Sequence, residues 1–304
     1  MSLRLRLLNL FFRAIAKPRL RRTTDPSLAR REFALAARWC LAQGRGSVRV
    51  AVPGAVPLLR FDPPGGMTQR AILYFHGGGY IVGSPLTHQG LANRLALDTG
   101  LSVWVPEYRL APEHPFPAAW DDADIAWDQL LVAGYAPQDV VLAGESAGGG
   151  LCFALLTRLC AAGTLPRAVV AFSPWVDLTG GCPSLASNAQ RDPLLPAEAF
   201  ATLSHHVLGG HAADDVRASP LFAAYPGCPP VLLQASEVEI IRDDATRLAD
   251  RLRAFGGTVT LQLAPATPHA WQLMVHRLPE ADRSVADAVD FISAVQPLAP
   301  KAMR

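Results

Sequence analysis

Residues 139–162 run from an apolar segment into a helical one with no loop between them. Asp139–Ala143 reads as a buried strand and Ala147–Ala162 as a helix. They meet at Gly144-Glu145-Ser146-Ala147-Gly148, a G-x-S-x-G pattern in a strand–turn–helix setting. So tight a turn forces the serine backbone into a strained conformation, and the flanking glycines remove side chains that would clash. It also lifts the serine hydroxyl above the end of the strand, at a helix N-terminus. There the partial positive charge favours a developing anion.

The rest of the chain predicts the sheet that such a junction needs. Strands are expected at Val48–Val52, Pro57–Phe61, Ala71–Phe75, Ser102–Pro106, Val140–Ala143, Ala168–Ser173, Val231–Ala235 and Val259–Leu263. The central ones are nearly continuous Val, Leu and Ile, the pattern of strands buried on both faces of a parallel sheet. Helices fit between them at Thr87–Thr99, Pro117–Ala133, Ala147–Ala162, Arg242–Ala254 and Ala281–Ala294. The alternation predicts an α/β architecture, a mostly parallel central sheet flanked by helices, with residues 1–304 as one domain. Two stretches break the alternation: about residues 1–45, and about 178–222 with one helical piece near Ala197–Val207. An insertion of that length between strands usually forms a lid or binding region, so the two stretches are expected to make one helical cap.

A second motif follows the strand Ala71–Phe75: His76-Gly77-Gly78-Gly79-Tyr80. Consecutive glycines let backbone N–H groups point into a cavity unobstructed, as in the oxyanion loops of lipases and esterases. Gly78 and Gly79, with the N–H of Ala147 just after the serine, are the expected oxyanion donors. One such donor is worth about 2.7–4 kcal/mol to the transition state. A phosphate-binding loop fits poorly, because neither GxGxxG nor GK[ST] is present. His76 is expected to brace the loop.

Together the two motifs resemble the hormone-sensitive-lipase-like (family IV) esterases of the α/β-hydrolase superfamily. Tyr108-Arg109-Leu110-Ala111-Pro112-Glu113-His114-Pro115-Phe116-Pro117-Ala118, Ser173-Pro174-Trp175-Val176-Asp177 and Arg191-Asp192-Pro193 extend the similarity over nearly the whole chain. The resemblance implies the α/β-hydrolase fold, carboxylesterase activity on short-to-medium acyl esters or lactones, and no metal or organic cofactor. It also implies the order serine, acid, histidine. His76, His88 and His114 precede Ser146 and drop out. His205, His206 and His211 fall in the expected cap, and His276 nearer the terminal helix. His269 lies in a Pro-containing loop directly after the strand Val259–Leu263, where the catalytic base is expected. Four carboxylates compete for the acid: Glu237, Glu239, Asp243 and Asp244. Comparison with the family back from His269 points to Glu239, where relatives usually carry Asp. Asp243 stays open as the alternative acid, or as a capping or loop-bracing residue.

Tyr80, Trp175 and Phe222 are candidates to line the substrate pocket. Glu145 is expected to anchor the serine turn by hydrogen bonds, and Asp121 and Asp122 either to brace the Tyr108 segment or to lie on a helix surface. Five widely spaced cysteines without a CxxC pair argue against a disulfide framework and against zinc, and for a reducing, cytoplasmic compartment. A net charge of +2 gives no reason for a nucleic-acid partner. The basic, apolar N-terminus is too interrupted to span a bilayer. It predicts an amphipathic helix that packs on the protein, with contact to a membrane surface as the other reading. A homodimer through an edge strand or terminal helix is compatible with the fold. Two other functions share these residues: a ligand-binding protein without hydrolysis, and an amidase using the same triad.

Overall fold

The structure, a computed structural model, describes residues 1–23, 25–41 and 44–295. Eight strands form one sheet: β1 (Val48–Val52), β2 (Leu58–Asp62), β3 (Ala71–Phe75), β4 (Ser102–Pro106), β5 (Val140–Glu145), β6 (Ala168–Phe172), β7 (Val231–Ser236) and β8 (Val259–Ala264). Their order is β1-β2-β4-β3-β5-β6-β7-β8. β2 runs antiparallel to β1 and β4, and every other pairing is parallel. The expected strands are all present. β5 continues through Gly144 and Glu145, which pair with Phe75 and Phe172, so the turn is tighter than the sequence pattern suggested.

β3, β4, β5 and β6 have no exposed residue, because helices cover both faces. Side chains alternate along each strand. Leu73, Phe75, Trp104 and Leu142 face the layer of α5 (Ala118–Val132), α6 (Ala147–Ala162) and α9 (Arg242–Ala254). Ile72, Tyr74, Val103 and Val141 face α4 (Gln89–Thr99) and α10 (Pro279–Ala294). Each such aliphatic side chain contributes about 1.5–3 kcal/mol by leaving water.

The two irregular stretches are more broken than expected. The N-terminus forms α1 (Leu3–Phe11), a π turn at Phe12–Ala16, α2 (Lys17–Arg22) and α3 (Pro26–Cys40). Pro18 explains the π turn: it has no N–H to return to Ala14, and its ring crowds that carbonyl. The 178–222 stretch carries α7 (Pro183–Ser187) and α8 (Phe200–Leu208) between turns. Leu5 and Leu8 of α1 pack on Trp271 and Leu278 beyond β8, as the packing reading of that segment requires. Arg13 and Lys17 reach across to the carbonyls of residues 189–192. Among the described residues, no helix is long and apolar enough to cross a membrane.

The loop after β6 is held by a buried carboxylate. One oxygen of Asp244, in the first turn of α9, accepts from Val176 N at 2.8 Å and Asp177 N at 3.0 Å. Burial pushes this carboxyl up from 3.8 to about 7 against the pull of those donors. Between those two values the folded chain keeps a proton that the unfolded chain releases. Its contribution is therefore fully present below 3.8 and is lost as pH rises through about 7. Asp244→Asn keeps an oxygen for both donors and removes the ionisation. The difference in thermal midpoint between Asp244→Asn and wild type should grow in the variant's favour from pH 5 to pH 8. A constant difference would place the proton elsewhere.

Candidate active site

Ser146 is the hinge between β5 and α6, at φ 55° and ψ −123°, a strained conformation for a non-glycine residue. Its N–H donates to Phe172 O at 2.9 Å, and its carbonyl accepts from Trp175 N at 2.9 Å and Gly150 N at 3.1 Å. The glycines of the motif are sterically required. A Cβ on Gly144 would lie 2.6 Å from Gly148 O, and one on Gly148 would strike Phe75 O and sit 2.5 Å from His76 O. The N-terminus of α6 is thus pressed against the end of β3, where the glycine loop begins.

That loop is braced from below. Glu145, 1% exposed, accepts through one oxygen from Gly77 N and through the other from Tyr74 OH, and His88 Nε2 lies 2.9 Å from its first oxygen. The expected anchoring role of Glu145 therefore extends to the glycine loop. His76 stacks on Tyr108 with ring centroids 4.2 Å apart, and Tyr108 OH donates to His76 O at 2.7 Å. Burial, helped by the neighbouring His88, lowers the His76 pKa to about 3, so the ring stays neutral. A Cβ on Gly77 would lie 3.0 Å from Ser146 Cβ, which places the loop beside the serine. Gly78 and Gly79 have φ of 113° and 60°. Among the described residues, no protein acceptor takes the N–H of Gly78, Gly79 or Ala147.

His269 hangs in the loop after β8. Its Nδ1 lies 2.6 Å from Oε2 of the fully buried Glu239, whose other oxygen accepts from Ser236 N at 2.7 Å. Burial works to lower the His269 pKa, but hydrogen bonding and charge from Glu239 outweigh it and the net shift is upward. The loop is pinned by Ser236 Oγ donating to Thr267 O, by Asn9 Nδ2 donating to Ala266 O, and by Ala270 N donating to Ser173 Oγ. Phe172 holds the Ser146 backbone and its neighbour Ser173 holds the His269 loop, so the two are stitched to the same tip of β6.

The other acid candidates point elsewhere. Asp243 is bound by Arg242 at 2.6 Å and neither meets His269 nor caps α9. Glu237 is exposed, and Asp244 serves the loop after β6. Asp122 braces Arg109 through its backbone N–H and guanidinium, while the half-buried Asp121 pairs with Arg217. Tyr80 and Trp175 are 1% and 3% exposed and belong to an aromatic wall with Trp120 and Phe200 behind the glycine loop. Phe222 is not brought to the site. It is 38% exposed, and its carbonyl is bonded by Arg251 in the second half of α9, away from the strand tips that carry Ser146 and His269. Four supporting residues were assigned no role from the sequence: His88 and Asn188, which lie in no motif, and Ser173 and Asp192, which lie in the family-like segments Ser173–Asp177 and Arg191–Pro193. Asn188 donates to Glu239 O at 2.9 Å, and Asp192 accepts from Ile240 N at 2.9 Å. Both bonds run from the insertion to the loop that carries Glu239. Among the described residues, no cluster of His, Cys, Asp and Glu is placed to hold a metal ion.

A family model described as the alpha/beta hydrolase fold matches residues 72–273. An acetyl-hydrolase of Streptomyces hygroscopicus is 38% identical over 224 residues, 73% of this chain and 75% of that one. The crystal structure of an esterase from the bacterial hormone-sensitive lipase family superposes with a TM-score of 0.90 at 33% identity, covering 97% of this chain and 99% of that one. The chain belongs to the hormone-sensitive-lipase-like family of α/β-hydrolases. An esterase of Acinetobacter venetianus is 35% identical over 228 residues, 74% of this chain and 75% of that one. The likeness to the solved esterase includes the N-terminal helices and the 178–222 insertion, since it spans nearly all of both chains.

The packing of Gly148 yields a stability prediction. Gly148→Ala has no space short of separating α6 from β3, and should destabilise the fold by more than about 3 kcal/mol, above the usual range for overpacking. Chemical denaturation of the purified variant measures it. A loss under about 1 kcal/mol would mean that the junction can relax.

Proposed function

We propose that Ser146 is the nucleophile, His269 the general base and Glu239 the acid of a triad that hydrolyses small carboxylic esters. The protein is a serine carboxylesterase acting on small-molecule esters. The observation that carries the finer reading is the 2.6 Å contact of His269 Nδ1 with the buried Glu239, in a loop fastened to the residue that follows the acceptor of Ser146 N.

In this reading Glu239 accepts a hydrogen bond from Nδ1–H and fixes the ring, leaving Nε2 as the base. His269 takes the hydroxyl proton as Ser146 Oγ attacks the ester carbonyl. The carbonyl oxygen becomes an anion and is received by the N–H groups of Gly78, Gly79 and Ala147. His269 then gives the proton to the departing alcohol. Water, deprotonated by the same ring, releases the acid and restores the serine. Leu203 of α8 supports a short acyl side, because its Cδ2 lies 3.1 Å from where a Gly79 Cβ would stand. The acetyl-hydrolase among the relatives agrees with short acyl chains. Lactones present the same ester carbonyl. The N-terminal helices and residues 178–222 act together as a cap, a role supported by the bonds of Arg13 and Lys17 to residues 189–192. The cytoplasmic assignment rests on five free thiols.

A chromogenic ester series from acetate to long acyl chains tests this reading. Ser146→Ala should lose kcat on the order of 10^6-fold, and Glu239→Gln about 10^4-fold, with Asp243→Asn near wild type. A folded wild type that binds esters without turnover would favour the binding-only function, and equal rates on an ester and its matching amide would favour an amidase. The pH profile is a second test. Only neutral His269 is a base, so kcat/KM falls as pH drops through its pKa. Because Glu239 raises that pKa, the acid limb should lie above 6.5, the ordinary histidine value, and should move down in the residual activity of Glu239→Gln. An unmoved limb would show that another group titrates.

A further inference from the structure

We propose that the outer face of the N-terminal helices docks on an anionic bilayer surface. α1 carries apolar side chains on two opposite faces. Leu5, and Phe12 just beyond the helix, point inward and are buried, while Leu3, Leu7 and Leu10 are 70%, 59% and 64% exposed. Their spacing of four and three residues puts them in one outward stripe. A helix apolar on both sides is normally covered on both, and a stripe of large aliphatic residues in water marks an interaction surface. α3 has a second outward stripe: Leu28, Leu35 and Trp39, the last 70% exposed. Arg277 ties the two helices together, donating to Trp39 O and accepting from Arg4 at its own carbonyl.

Charge selects the occupant. Residues 1–22 hold six arginines and one lysine and no carboxylate. On α1 the helical spacing sets Arg6 along one border of the stripe and Arg4 along the other. Among the described residues, Arg6 and Arg22 are exposed and have no ion-pair partner. Apolar residues to insert and bordering cations to meet lipid phosphates are the combination that holds a helix in the plane of an interface. A second copy of this chain would bring the same cations against themselves. The inward face also holds the His269 loop through Asn9, so docking anchors the protein by an element that supports the site. Catalysis itself does not depend on the outward stripe.

Trp39 supplies the readout, because the other five tryptophans are at most 3% exposed. The full chain is mixed with vesicles of phosphatidylcholine alone, or with phosphatidylglycerol, at low salt. Wild type should sediment with the anionic vesicles and show a blue-shifted tryptophan emission that Trp39→Phe lacks. Raising the salt should release it, because screening weakens the cations. A Leu3→Ser/Leu7→Ser/Leu10→Ser variant should bind about tenfold or more weakly, with kcat/KM on a soluble short-chain ester unchanged. Arg6→Glu/Arg22→Glu should weaken binding while leaving the apolar stripe intact. Wild type remaining in the supernatant with every vesicle would overturn the proposal, as would a serine variant that sediments like wild type. So would a homodimer in solution that the serine variant turns into monomer with no vesicle binding, since the stripe would then be a subunit contact. Soluble-ester activity reads the triad separately, so a failed triad and a failed docking face give different results.

Discussion

The contact on which the structure depends is the close approach of Gly148 to the carbonyls of Phe75 and His76. It leaves no room for a side chain, so α6 starts directly against the tip of β3. From that contact follow the strained serine and the nearness of the glycine loop, whose Gly77 would meet Ser146 Cβ with any added side chain. A looser junction would leave the same residues in the chain without bringing them together. The strain at Ser146 is held by three backbone bonds to Phe172, Trp175 and Gly150, so the surrounding sheet fixes the conformation.

Electrostatics reinforces what packing begins. Glu145 and Glu239 are both buried, and both have their oxygens engaged by hydrogen bonds. One organises the glycine loop through a backbone N–H, and the other organises a histidine. A buried carboxylate left without donors would be several kcal/mol unfavourable, so each is matched by groups that nothing else satisfies. The two carboxylates act at different tips of the sheet, and β6 joins them: its end residue Phe172 binds Ser146, and Ser173 binds the His269 loop.

The five central strands, β3 to β7, were legible because burial on both faces leaves an uninterrupted apolar signature, and the partly exposed β1, β2 and β8 because they are short runs rich in Val and Leu. The serine and glycine motifs were legible because their chemistry restricts the backbone within five residues. The acid was harder, since four carboxylates crowd Glu237–Asp244 and only three-dimensional placement separates them. The structure turns Glu239 toward His269 and gives Asp243 to Arg242. Phe222 was misread because an aromatic residue near an insertion looks the same in sequence whether it lines a pocket or rests on a helix. The bonds by which His88, Asn188 and Asp192 reach Glu145, Glu239 and Ile240 could not be read from the sequence because they span 48–57 residues and mostly meet backbone. The N-terminal helices were read as a single segment because the effect of Pro18 on the preceding turn is not a periodicity.

Asp192 spends one carboxylate oxygen on its own loop, at Leu194 N and Leu195 N, and the other on Ile240 N, beside Glu239. With Asn188 it makes the insertion part of the frame around the acid. The insertion and the loop that carries Glu239 are therefore not interchangeable modules. A chimera that borrows residues 178–222 from a relative to change the pocket must keep these two side chains in register. Otherwise it shifts Glu239 and the histidine it holds while meaning to alter only the insertion.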